Sequence, residues 1–203
     1  MCEQMSDAKV IPFRIEPKGI SEKLIQKLLR KGEKYGLTDI IPLTTDKIVV
    51  AEWVHLKCQY GCSQFNTSWC CPPVTPGFKD TTNLMREYSL ALLLVGVTRR
   101  VNFYRDNQRK RVRQLRGWKG TVSIERLLFM EGFYKAFSLV GEGCALCKTC
   151  AYPENCRFPR EKRPSLESFS IDVLGTLKAI NIIPKLATNI NDHYSYYSII
   201  LLE

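Results

Sequence analysis

Cys144, Cys147, Cys150 and Cys156 fall within thirteen residues, at spacings C-x2-C-x2-C-x5-C. Thiolates that close in sequence converge only where the chain wraps around something they all bind. The run is a near relative of the ferredoxin pattern C-x2-C-x2-C-x3-C-P, whose thiolates hold an iron–sulfur cluster. Two-residue gaps let successive cysteines reach different irons of a [4Fe–4S] cube while backbone N–H groups point at its sulfides. The alternative is zinc held by four cysteines, for which C-x2-C pairs are the usual signature. Zinc sites take such pairs from separate segments, whereas three of these cysteines are evenly paced. The spacing favours iron–sulfur and keeps zinc as the alternative.

Nine cysteines in 203 residues is a high count. The opening residues, Met1-Cys2-Glu3-Gln4-Met5, have neither the basic nor the apolar stretch of a secretory leader, so a cytoplasmic protein is expected. In a reducing compartment cysteine-rich chains hold metals or do chemistry more often than they form disulfides. The longest apolar run, Leu90 to Val97, is far too short to cross a bilayer, so no membrane partner is expected. Hydrophobic content of 45% and charged content of 25% are those of a folded globular chain.

A second cysteine segment runs Cys58-Gln-Tyr-Gly61-Cys62, then Trp69-Cys70-Cys71-Pro72-Pro73. Adjacent side chains in extended backbone point in opposite directions, so Cys70 and Cys71 are not expected to share one metal. Cys58, Cys62 and Cys71 are the expected ligands, with Cys71 preferred because Pro72 fixes its backbone, and Cys70 as the other choice. Three ligands leave a coordination position open, which separates catalytic from structural metal sites. Cys70 or His55 as a fourth ligand would close it. Trp69 either shields a cluster from water or caps the core.

The elements around these segments read as α/β or α+β, with about four strands in a mixed sheet, flanking helices and two cysteine loops at one end. One domain is expected over 1–203, with residues 1–19, carrying Pro12 and Pro17, as an extended lead-in. Ser21 caps a helix that Gly36 closes, and Gly32 weakens its last turn. Residues 46–56 read as a strand, and 75–88 as a helix capped by Thr75. Leu90 to Thr98 is an apolar run of strand length, expected as a central strand buried on both faces. Strand–helix–strand then implies a right-handed crossover between parallel strands. Residues 122–140 have helical spacing, and Ser165 opens a helix to about Ile180. Residues 182–186 and 194–202 read as a hairpin.

Net charge is +10, and between Arg99 and Lys119 nine basic residues meet one acid, Asp106. Such a block binds phosphates, docks an acidic redox protein or is a solvated helix face. An RNA-binding reading would add Phe103, Tyr104 and Trp118 as base contacts. Nothing matches a Walker loop, a GxGxxG turn or a hydrolytic triad.

Taken together, Cys58-Gln-Tyr-Gly-Cys62, Trp69-Cys-Cys-Pro-Pro73, Glu131-Gly-Phe-Tyr-Lys135, Cys144 through Cys156-Arg-Phe-Pro159, and Arg163-Pro-Ser-Leu-Glu167 with Ile171-Asp-Val173 carry a resemblance. From about residue 45 to the C-terminus the chain resembles a cysteine-rich family of predicted metal-binding proteins of anaerobic bacteria and archaea, domain of unknown function 2284. Phe65 stands where that family has tyrosine, and Ser168-Phe-Ser170 departs from its usual Ala-Cys/Ser-Gly. The resemblance implies metal binding and supplies no reaction.

The expected function is therefore an iron–sulfur redox protein, an electron carrier or small reductase. Cys144, Cys147, Cys150 and Cys156 would hold a closed [4Fe–4S] cluster, and Cys58, Cys62 and Cys71 a second, open one. The alternative is a zinc protein that binds RNA or another acidic partner through 99–119.

Overall fold

A computed structural model describes residues 19–99, 107–184, 188–189 and 191–203. Cys2, the expected lead-in as far as residue 18, Phe103, Tyr104 and Asp106 lie outside these residues, as do residues 185–187 of the expected hairpin.

Four strands form one sheet in the order β1-β2-β4-β3, namely β1 Leu37–Thr44, β2 Leu90–Arg99, β3 Phe137–Leu139 and β4 His193–Leu201. Every neighbouring pair is antiparallel. The fold is thus α+β. The expected mixed sheet is corrected, because all these pairs are antiparallel, and the expected parallel crossover into β2 is corrected, because residues 46–56 do not form the strand it would start from.

Five α-helices occur among the described residues: α1 Glu22–Glu33, α2 Glu52–Gly61, α3 Phe78–Met85, α4 Asn107–Met130 and α5 Val173–Ala179. None is long and apolar enough to cross a membrane.

Strand periodicity builds a core on both faces. Successive β-strand side chains point to opposite sides. In β2 and β4, Ala91, Leu93, Ile199 and Leu201 join a cluster with Ile48, Phe169, Ile171 and Leu177. Leu92, Leu94 and Ile200 join another with Leu24, Leu28, Ile124 and Leu128 of α1 and α4. Leu92 to Leu94 are essentially inaccessible, as the apolar run predicts for a central strand. One face of the sheet thus carries α1 and α4, and the other carries the turn around Phe169 with α5.

Several boundaries move. Ser21 accepts the Leu24 N–H as the N-cap of α1, and Gly36 follows it at φ +87°. Gly32 is there for packing: a Cβ would sit 2.8 Å from the Leu37 side chain. β1 contains Pro42, which weakens its strand signal in sequence but is tolerated at the edge of a sheet. The strand expected over 46–56 is replaced by a 3-10 turn, a single bridge from Val50 to Ile171, and α2. The helix expected over 75–88 spans only Phe78–Met85, and the Thr75 hydroxyl donates to the Ser168 carbonyl instead of capping it. The helix expected over 122–140 starts at Asn107 inside the basic block and ends before Gly132, whose φ of +98° stops it. Phe137–Leu139 then pairs with β4 as a strand. The helix expected from Ser165 is a 3-10 turn, Glu167–Phe169, ended by left-handed Ser170, after which Asp172 caps α5. β4 pairs with β2 and β3, so the expected hairpin with 182–186 is not formed by its described residues.

Candidate metal centre

Helix α2 carries Cys58 and leaves Cys62 at its C-cap in extended backbone. A tight turn follows. Phe65 N–H donates to the Cys62 carbonyl at 3.1 Å, Asn66 N–H to the Pro72 carbonyl at 2.8 Å, and Asn66 adopts a left-handed φ of +55°. Ser68 then fixes the cysteine pair. Its hydroxyl accepts from Cys70 N–H and its carbonyl from Cys71 N–H, both at 3.2 Å.

The second cysteine segment leaves the sheet at Val140. Gly141 N–H donates to the Ser198 hydroxyl at 3.0 Å, and a Cβ on Gly141 would lie 2.3 Å from the Tyr197 carbonyl oxygen, so only glycine fits that approach. Arg111, from the basic block, reaches out of α4 and donates to the Ala145 and Leu146 carbonyls, each at 3.0 Å. Arg157 donates to the Thr149 carbonyl at 3.1 Å. Below the loop lies an ion pair between Arg163 and Glu125, their side chains only 16% and 10% exposed, and Glu125 also accepts Ser138 N–H at 2.8 Å. The carboxylate raises the arginine's affinity for its proton still further.

Trp69 joins the two segments. Its indole N–H donates to the Glu154 carbonyl at 2.7 Å, and its ring meets Tyr152 edge-on at 5.1 Å. The Tyr152 hydroxyl donates to Asn66 Oδ1 at 3.1 Å, and Lys162 lies over the indole at 5.1 Å. Trp69 is half-buried, and its role here is to clasp one loop onto the other.

The thiols divide into two groups at a single peptide bond. Cys70 turns inward and hydrogen-bonds with Cys144, and this pair packs on Trp118 and Val122 of α4. Cys71 turns the other way, into a cavity it shares with Cys58 and Cys62. The electrostatics follow the geometry. Cys144 gains the hydrogen bond of Cys70 and falls to about 7, while Cys70 is driven far up by that same bond and by burial. Burial first, with Cys62, Cys58 and Cys144 adding, pushes the Cys71 thiol up to about 11 against the opposing hydrogen bond of Ser68. Cys58 is likewise raised by burial, then by Cys62 and Glu167. Cys156 adds to the charge felt at Cys70. Cys150 belongs on the Cys144 side. Burial opposes its ionisation, but N–H groups of Tyr152 and Trp69 and the Ser68 hydroxyl outweigh burial and lower it. Cys147, also half-buried, lies between Cys144 and Cys150 in the chain.

A local device recurs at four of these cysteines. The backbone N–H two residues on donates to sulfur: Gln64 to Cys62 and Phe158 to Cys156 at 3.4 Å each, with Leu146 to Cys144 and Tyr152 to Cys150. Hydrogen bonds to the charged form favour it, so the turns at Cys144 and Cys150 help these two thiols to ionise. The same outer contacts orient ligands around a metal.

The cavity beside Cys58, Cys62 and Cys71 measures about 450 Å³. Trp53, Phe65, Ile171 and Leu174 supply apolar walls, and Glu142, Glu167 and Asp172 the acidic ones. Glu167 is solvent-accessible through the cavity mouth but enclosed by protein on its other sides, and burial, then Glu142, push its carboxyl up. The Cys58 thiol lies 3.9 Å from the Glu167 carbonyl oxygen. Asp172 caps α5, with Oδ1 accepting Gly175 N–H at 2.9 Å. His55 packs edge-on to Phe65 at 6.4 Å.

All the sulfur donors are free thiols, and among the described residues no three His, Cys, Asp or Glu side chains gather tightly enough to hold a single metal ion. An all-thiolate donor set fits an iron–sulfur cluster, which takes each thiolate on a separate iron.

Two other polar groups, Lys135 and His193, lie away from the thiols. Lys135 donates to the Glu87 carbonyl at 3.2 Å, beside Tyr88. His193 is exposed at the start of β4, opposite Arg99. Trp118, expected to face RNA, is 3% exposed and donates to the Glu161 carbonyl, so it offers no face to a base. Sequence reasoning missed Ser68, Glu142, and the Arg163–Glu125 pair under the loop. Only Ser68, two residues before a Cys-Cys pair, had a signal that could have been read, as a hydroxyl placed to cap the turn.

The geometry has a counterpart in the comparison with known proteins. No curated protein and no solved structure matches the chain. A family model described as "Predicted metal-binding protein (DUF2284)" matches residues 41–202, from within β1 to just past β4 and so over both cysteine segments. The chain is a member of that family of predicted metal-binding proteins.

Proposed function

We propose that the chain is an iron–sulfur redox protein with two unlike sites, one that stores an electron and one that meets a substrate. The observation that carries this reading is the division of thiols at the Cys70–Cys71 peptide. Cys70, Cys144, Cys150 and Cys156, with Cys147 in the same loop, supply enough sulfur for a closed, buried cluster. Cys58, Cys62 and Cys71 supply three, and they face a cavity.

A cluster bound at these thiolates supplies reversible one-electron chemistry. The protein's own groups do the rest. The backbone N–H groups of Leu146 and Tyr152 favour the ionised forms of Cys144 and Cys150. Trp118 and Val122 keep water from the buried pair. Glu142 and Glu167 give the cavity an acidic wall against which a protonated group is favoured over an anion.

The test is anaerobic purification with iron, sulfide and zinc analysis. A brown protein with about eight irons and eight sulfides supports two cubes, and about four of each supports one. A colourless protein with stoichiometric zinc overturns the reading.

A further inference from the structure

A second concave surface shares no lining residue with the acidic cavity. It is an open groove of about 510 Å³ between the end of α1 and the middle of α4. Its floor is apolar, formed by Val122, Leu127 and Met130, with Tyr35 at its edge. Lys31, Lys119 and Arg126 stand around it, and Lys34 lies over the Tyr35 ring at 4.9 Å. The acid on its lining, Glu161, is engaged by Arg126 at 2.5 Å.

Val122 faces two ways. It lines this groove, and it packs with Trp118 against Cys70 and Cys144. Val122 and Trp118 therefore link the groove to the cluster that holds the buried thiols. Glu161 joins this link from the other segment, since its carbonyl accepts the Trp118 indole N–H at 2.7 Å and it follows Cys156 by five residues. Elsewhere this buried pair is covered by the cysteine loops themselves.

We infer that this groove is the docking site for an acidic electron-transfer protein, which exchanges single electrons with the buried cysteine site through Val122 and Trp118. The inference rests on the iron–sulfur reading for its chemistry, though not for the docking itself. A cationic rim around an apolar floor is the usual complement of a carboxylate-ringed redox partner, and it steers encounter through long-range charge. In each turnover the reduced partner loses one electron and the buried centre gains it, with no bond made or broken. The basic block at 99–119 contributes Lys119 to this surface, while its Arg111 and Arg116 are spent on backbone carbonyls of this chain.

The test uses a reduced acidic ferredoxin as probe. Binding to the full chain is followed by titration calorimetry, and electron transfer by stopped-flow absorbance, each at several salt concentrations. Lys31→Glu and Lys119→Glu are each expected to weaken binding about threefold to tenfold at low salt and to flatten its salt dependence. Reduction by the small reagent dithionite should be unchanged. Lys79→Glu, exposed on α3, makes the same change in net charge elsewhere and should have no comparable effect. Equal effects from all three substitutions, or none from the groove pair, overturn the docking site. A chain that binds the ferredoxin through this groove but contains no iron overturns the redox reading and leaves the docking site standing.

Discussion

The two cysteine sites are built from opposite materials. Around Cys70 and Cys144 everything is closed: α4 packs from one side, Arg111 holds the loop carbonyls, and Arg163 and Glu125 brace it from beneath. Around Cys58, Cys62 and Cys71 the walls part to leave a cavity with acidic groups on it. A site enclosed on all sides can pass electrons but admits no reactant. A site with a cavity admits one and gives up part of the packing that would hold it rigid. The contrast separates a cysteine pair packed against the core from three cysteines left beside a cavity.

The contrast is sharpest at Cys70. Cys70→Ala together with Cys144→Ala leaves three of the five thiols on that side, and should remove the buried site's share of the metal, about half, and lower the melting temperature more than any other pair of thiol changes, because metal binding there is also folding energy. Metal analysis with thermal unfolding reads both, and an unchanged metal content would break the division of thiols.

Next in size is the brace below. Arg163→Met leaves Glu125 as an uncompensated buried carboxylate, which costs about 3–5 kcal/mol in denaturant unfolding. A loss below about 1 kcal/mol would mean that the loop does not depend on that pair.

Trp69→Phe keeps the ring and removes the indole N–H to Glu154, so the clasp should lose about 1 kcal/mol. The same unfolding experiment measures it, and a neutral result would show that the loops hold together without the bond.

The smallest effect on stability is expected at the cavity. Cys58→Ser should cost under about 1 kcal/mol, since the group is partly exposed, while the open site loses its metal. If Cys58→Ser destabilises as much as the paired change at Cys70 and Cys144, the open site is structural and the contrast fails.

Local chemistry was legible in the sequence where one residue decides the outcome. The apolar run at 90–98 declares a strand covered on both faces, whereas Cys70 and Cys71 part at a turn on Ser68 and not in the extended backbone expected of them. Pairing was not legible. Pro42 hid β1, the β-branched run at Ile48 to Val50 concealed the start of α2, and β3 read as the tail of a helix. Each takes its form from a partner distant in sequence: β2 for β1, Ile171 for Val50, and β4 for β3. The close association of Cys70 with Cys144 is of the same kind, since 74 positions separate them.

The single peptide unit between Cys70 and Cys71 also acts as a mechanical gear. Reorienting that peptide plane moves the Cα–Cβ bonds of both residues, and Ser68 holds it from both sides, its hydroxyl accepting Cys70 N–H and its carbonyl Cys71 N–H. Anything that pins one thiol therefore changes how readily its neighbour is pinned. If each group of thiols binds a metal, any change that filling one makes in the affinity of the other is returned by the same factor. Loading of this protein should then be cooperative or anticooperative, with each site reporting on whether the other has been filled.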